Sequence, residues 1–376
     1  MFYSALNTIK SHVKNIPGWR TNRKIVVIES DDWGSIRMPS REVYQECIEA
    51  EYNVDQNTFE RFDSLASESD LELLFDVLHR HKDQHGSPAV MTANILTANP
   101  DFNKIKESGY NEYYYEPIKK TFKNYPNHSN CLSLWKDGKE EGIFFPQSHG
   151  REHLNVSLFM EALQEGDEDV HFGFKHKMPG SIPKNCNNGR NKYVESLRYS
   201  SLQDRKEKLS ILLEGLELFE ELMGYNSKTF IPPNYLWSPN YDKAMSAKGV
   251  WFYQGRRKMK EPLFDGTIQF HTHWLGEENE VGQKYLLRNA SFEPASLNTD
   301  IDPVEKCLNE VSVAFRMKKP AVIDTHRVNY VGFIDTQNRD KNLRMFDELL
   351  FKIIKRWPEV EFFNSEQLGK LMLTNE

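Results

Sequence analysis

Two stretches of this chain hold residue types and spacings that could do chemistry. The first is "IVVIESDDWGSIR", Ile25–Arg37, where four apolar residues run into Glu29-Ser30-Asp31-Asp32-Trp33-Gly34. Two adjacent carboxylates buried together would push one pKa up, and a bound cation removes that conflict. One aspartate would then bind the metal, and its neighbour would stay free to take a proton. "DDWGS" is equally good turn chemistry, with an aspartate capping the loop that follows. The second stretch is "SHGREHLN", in which His149 and His153 stand four apart. If a helix begins here, the two imidazoles share a face and can bind one metal. The alternative is an exposed histidine pair at a helix start. Two imidazoles and a carboxylate from the first stretch would leave positions open for water, as catalytic metal sites require. "HGREH" also fits H-x-x-E-H, the inverted zincin pattern, with Glu152 as base. That pattern needs both histidines inside a helix, which Pro146 and Gly150 oppose.

Short apolar runs would position these residues. "KIVVIES" (24–30), "PAVMTANIL" (88–96), "GIFFPQSH" (142–149), "KTFIPP" (228–233), "VWFYQG" (250–255), "IQFHTHW" (268–274), "PAVIDTH" (320–326) and "VEFFNS" (360–365) read as strands. Between them lie segments of helical period, such as "DLELLFDVLHRHK", "LQDRKEKLSILLEGLELFEELMG" and "NLRMFDELLFKIIKRWP". Strands alternating with helices predict an α/β fold with a largely parallel sheet, and seven or eight strands suit a barrel, closed or distorted. Active sites of such folds form where strands end. The runs end in Asp31-Asp32, in His149, in Pro232-Pro233-Asn234, in His271 and His273, and in Asp324 and His326. Residues 101–140 and 177–202 break the rhythm and read as insertions; no second domain is demanded.

The 376 residues could hold two ordinary domains or one large α/β unit, and with 39% hydrophobic and 27% charged residues a packed core is expected. A net charge of −7 gives no general pull toward nucleic acid or anionic lipid. Cys47, Cys131, Cys186 and Cys307 lie far apart, with no Cys-x-x-Cys pair, and read as thiols in a reducing compartment. The first 20 residues read as a helical extension, without the apolar core of a signal peptide, and no run is long enough for a membrane span. A cytoplasmic protein is expected.

"IVVIESDDWG", "SHGREH", "FIPPNY" and "VIDTH" follow one another as the motifs of the polysaccharide deacetylase family, carbohydrate esterase family four. The chain resembles that family from about residue 24 to residue 330. The resemblance implies a distorted (β/α) barrel and one divalent metal, usually zinc, that serves to remove acetyl groups from amino sugars. It implies Asp31 as general base, Asp32, His149 and His153 as metal ligands, and His326 as general acid. Asn234 and Tyr235 would lie in the loop that supplies a backbone N–H to the oxyanion. Trp33 and Trp237, each beside a catalytic segment, together with His273 and Arg327, are the expected contacts to a carbohydrate substrate. The family usually carries an arginine before its third-motif prolines, pairing with the base; here Ile231 stands there. Arg37, Arg151, Arg288 and Arg327 are the candidate replacements. Another glycan hydrolase on the same barrel, or a saccharide-binding member without turnover, remain alternative readings.

Overall fold

The computed structural model describes residues 12, 15–179, 191–297 and 301–374. In chain order its strands are β1 (Lys24–Trp33), β2 (Met91–Ile95), β3 (Ala98–Pro100), β4 (Tyr115–Pro117), β5 (Phe144–Ser148), β6 (Thr229–Phe230), β7 (Phe252–Gly255), β8 (Lys258–Pro262), β9 (Ile268–Thr272), β10 (Lys284–Leu287), β11 (Ala290–Ser291), β12 (Ala321–His326) and β13 (Val360–Phe363). Nine of them form one sheet in the order β10-β7-β6-β5-β2-β1-β12-β11, with β13 added to β1. Every pairing in it is parallel.

β10 and β11 stand at opposite ends of that path, yet only Arg288 and Asn289 separate them in the chain. The Arg288 N–H donates to the Gly255 carbonyl of β7 (2.8 Å), and the Asn289 N–H to the Val322 carbonyl of β12 (3.0 Å). One pass of chain, 284–291, therefore pairs with β7 through its first half and with β12 through its second. This seam closes the sheet into a distorted (β/α) barrel.

Strand alternation divides the apolar residues between two cores. Val26 and Ile28 point outward and pack with Leu74, Val311 and Leu349 of the helices Glu68–Arg80, Pro303–Arg316 and Thr336–Arg356. Ile25 and Val27 point inward, onto Phe252, Leu286 and Val322, over Leu368 and Leu371 of the C-terminal helix Ser365–Leu373. Both faces of β1 are covered, which is why its sequence reads as an unbroken apolar run. Ser67 makes a capping box for Glu68–Arg80, and Gly224, at φ 78°, ends Leu202–Met223.

One expectation is corrected. "IQFHTHW" is not a barrel strand: β9 pairs antiparallel with β8 in a hairpin outside the main sheet. Asp265-Gly266 in its turn is the signal for that hairpin. Its place in the barrel is taken by residues 284–291, whose central Arg-Asn hides a strand. Residues 101–140, expected as an insertion, hold the helices Phe102–Glu107, Ile118–Asn124 and Cys131–Glu140, the last packed against β5. The N-terminal extension lies outside the described residues up to Lys14 save His12, as do residues 180–190 of the second expected insertion. Among the described residues no helix is long and apolar enough to cross a membrane.

Candidate metal centre

β1 delivers its two aspartates to one cleft by breaking its own alternation. Glu29 and Asp31 point into the barrel, level with Asp324 and His326 of the neighbouring β12. Asp32 would face the helices if the strand continued. Instead its φ is 74°, and the pairing with β2 slips between Ser30 and Trp33. Gly34, at φ 98°, completes the turn where a Cβ would lie 2.4 Å from the Leu96 carbonyl oxygen.

The histidines arrive on a loop, not on the helix considered above. His149 follows β5, and its N–H donates to the Ile95 carbonyl (2.8 Å). Gly150 has φ 111°, and the next helix begins only at Val156, where the Asn155 side chain accepts from the Leu158 N–H. The carbonyl of Arg151 accepts the N–H groups of Thr97 (3.0 Å) and Ala98 (2.8 Å), which fixes the loop. The Arg151 guanidinium is forked on Glu152 and reaches Glu214. With no helix and Glu152 engaged, the H-x-x-E-H reading fails.

The loop rests on the helix Leu202–Met223 at Gly215, where a Cβ would stand 2.6 Å from the Arg151 nitrogen and 3.0 Å from the Gly150 carbonyl carbon. Gly215→Ala is therefore expected to push the histidine loop outward, at about 1–3 kcal/mol of strain. The check is a metal titration: affinity falling about tenfold or more, with the helical circular dichroism unchanged.

His149 Nε2 stands 3.5 Å and His153 Nε2 3.8 Å from Asp32 Oδ1. One donor atom from each of the three side chains lies within 4.8 Å of the others. His149 Nδ1 is bonded to the Ile231 carbonyl (2.8 Å), so the proton sits there and the Nε2 lone pair faces the site. Burial lowers the His153 pKa to about 3 and keeps that ring neutral, the form a metal requires. Burial opposes the charge on Asp32, but its contact with His149 and the nearby Arg37 guanidinium outweigh it and hold the carboxyl well below its ordinary value. Two imidazoles and a carboxylate, converging from the loop after β5 and the end of β1, could hold a metal ion.

Asp31 is held from behind. Its Oδ1 accepts from Asn94 Nδ2 (2.7 Å) and Arg288 Nη2 (2.6 Å), and its Oδ2 from Arg288 Nη1 (2.8 Å). Arg288 also donates to Glu29 Oε2 (2.7 Å) and Asp324 Oδ1 (2.6 Å). Of the four candidate arginines, the one on the seam is the partner of Asp31. Burial would raise the Asp31 pKa, but Arg288 prevails and lowers it. Across the cleft His326 Nε2 lies 3.8 Å from Asp31 Oδ2, while its Nδ1 is bonded to Glu293 Oε1 (2.6 Å). Burial opposes the imidazolium, yet Glu293, Asp31 and Asp324 outweigh it and raise the pKa to about 10. A raised pKa stabilises the fold below the unfolded value near 6.5 and loses that contribution as pH climbs toward 10. His326→Gln should remove this dependence. In metal-free protein the urea midpoint of the wild type is expected to fall between pH 6.5 and 10 more steeply than that of the variant.

The cleft has a volume of about 340 Å³ and is lined by Asp31, Asp32, His149, His153, Asn234, Tyr235 and His326, among others. Asn234 and Tyr235 are both left-handed, at φ 55° and 57°. The Tyr235 N–H closes a turn onto the Pro232 carbonyl (2.9 Å), so it is already engaged. Four residues expected at the substrate lie elsewhere. Trp33 is in the core, its indole N–H on Ser30 Oγ (3.0 Å). Trp237 packs against Phe230 and Tyr253 and donates to Asp242 (2.8 Å). Arg327 is 0% exposed and forked on Asp63 (2.9 and 3.0 Å). His273 stacks on Tyr285 at 3.8 Å, outside the cleft. Glu29, Asn94 and Glu293 were not singled out by sequence. The period-2 face Ile25-Val27-Glu29-Asp31 carries a signal for Glu29; Asn94 and Glu293 have none of comparable strength.

No protein-family model and no curated relative matches the chain. Among solved structures, it is similar to a Mycobacterium smegmatis protein assigned as a polysaccharide deacetylase (10% identity, TM-score 0.44, 95% of this chain and 93% of that one). It is also similar to PuuE allantoinase (11%, 0.48, 94% and 93%) and to the peptidoglycan deacetylase PdaC of Bacillus subtilis (9%, 0.37, 94% and 93%). Likenesses this distant leave the chemistry to be argued from the residues themselves.

Proposed function

We propose that this chain is a metal-dependent hydrolase that removes an acetyl group from a carbohydrate. The observation that carries the reading is the grouping of Asp32, His149 and His153 beside a carboxylate, Asp31, that Arg288 keeps ionised. A divalent ion held by the three ligands, zinc by their chemistry, would supply Lewis acidity toward the acyl oxygen and acidify a water. Asp31 Oδ1 accepts two hydrogen bonds and Oδ2 one, from Arg288, so Oδ2 is the less committed oxygen and receives the proton of the attacking water. His326, protonated at neutral pH and held by Glu293, gives a proton to the leaving nitrogen or oxygen. Arg288 and Asn94 keep the base in place.

Elemental analysis of the purified protein, beside His149→Ala, tests the centre. About one divalent ion per chain is expected in the wild type and none in the variant. A wild type that holds no metal and takes up no added zinc would remove the reading. Acetate release from N-acetylated sugars then tests the reaction; release of reducing ends without acetate would reassign the enzyme to glycosidic bonds.

A further inference from the structure

A second cavity, of about 390 Å³, adjoins the cleft, and Arg256 lines both. Each volume lies in the lower range of small-ligand sites. The wall of the second cavity is basic in a chain whose net charge is −7. Arg256, Arg257 and Lys258 leave the C-terminal end of β7 in succession and face it with Lys319, against Glu310 and Asp324. Lys319 is occupied, its ammonium held by the carbonyls of Pro17, Gly18 and Trp19 at 2.6–2.8 Å. Arg256 is not used up in this way. One of its nitrogens donates to Asp324 (2.7 Å) and its guanidinium lies over the Tyr235 ring at 4.9 Å, yet its side chain is 57% exposed. It is thus oriented from behind with an edge open to solvent, as an arginine that receives an anion would be.

We propose that this second cavity receives an anionic group, phosphate or carboxylate, of the substrate, with Arg256 and Lys258 as its ligands. The substrate class is then an acidic sugar, its acetyl group in the cleft and its charge beyond Arg256. The inference rests on the carbohydrate reading above for the identity of the ligand, but its test does not depend on turnover.

Inorganic phosphate, glucuronate and glucose are titrated calorimetrically into His149→Ala protein, so that a metal cannot capture the anion. Phosphate or glucuronate should bind, glucose should not, and the Kd should weaken at least tenfold when Arg256→Gln and Lys258→Gln are added. Which of the two anions binds identifies the group. Both replaced side chains are exposed, and an unchanged urea midpoint of the triple variant verifies its fold; Lys258→Gln alone, with a threefold loss, serves if that midpoint falls. No anion binding, or binding equal in all variants, overturns the proposal and leaves the deacetylase reading untouched. Anion binding without acetate release from any sugar overturns the reading and leaves the anion site standing.

Discussion

Asp31→Asn is expected to lower kcat by roughly a thousandfold while leaving about one metal ion per chain, since a positioned general base contributes on the order of 10²–10⁴. The two aspartates are neighbours in sequence but not in role. Asp32 faces His149 and His153, whereas both oxygens of Asp31 are turned to Arg288. An asparagine there sets one amide N–H against the guanidinium, so about 1–3 kcal/mol of stability should go as well. The decisive pair of measurements is metal content and acetate release on the same preparation. Turnover and metal lost together would mean that Asp31 is itself a ligand.

The second large effect concerns Arg288. Arg288→Ala leaves Glu29, Asp31 and Asp324 facing one another in the barrel interior without their shared cation. Removing one partner of a buried pair costs on the order of 3–5 kcal/mol. The three carboxylates would then raise each other's pKa values. Groups with raised pKa values stabilise the fold below the unfolded value and lose that contribution as pH rises. The gap between wild type and variant in urea midpoint should accordingly be wider at pH 7.5 than at pH 5. Arg288→Lys keeps the charge but not the fork, and one ammonium cannot span three carboxylates. That variant should fold and turn over roughly a hundredfold more slowly, the lower range for misplacing a catalytic group. Equal midpoints for wild type and Arg288→Ala would show that the three carboxylates do not depend on this arginine.

What the sequence makes legible here follows from periodicity. β1, β2, β5, β7 and β12 are apolar runs because the sheet is covered on both faces, and their last residues mark the rim. The bend at Asp32 is not legible, since a positive φ is announced by glycine and this position holds aspartate. The loop carrying His149 and His153 reads as a possible helix because the two are four apart; Gly150 and the cap at Asn155 decide otherwise. Trp33 and Trp237 flank the right motifs, but adjacency in sequence says nothing about which way an indole turns. The seam is the least legible element. "KYLLRNAS" changes partners midway, so neither half is long enough to read as a strand, and the residue that poises the base sits at the change.

That seam ties the poise of Asp31 to closure of the barrel, because Arg288 reaches Glu29, Asp31 and Asp324 only from between β7 and β12. β1 and β12 meet across some three hundred residues of chain, so their pairing is slow relative to local helix formation. Until residues 284–291 are laid between β7 and β12, Glu29, Asp31 and Asp324 repel one another around an empty seat. The arriving guanidinium relieves that repulsion and orients Asp31 in the same event. A barrel closed in another register would leave those three carboxylates without their shared cation.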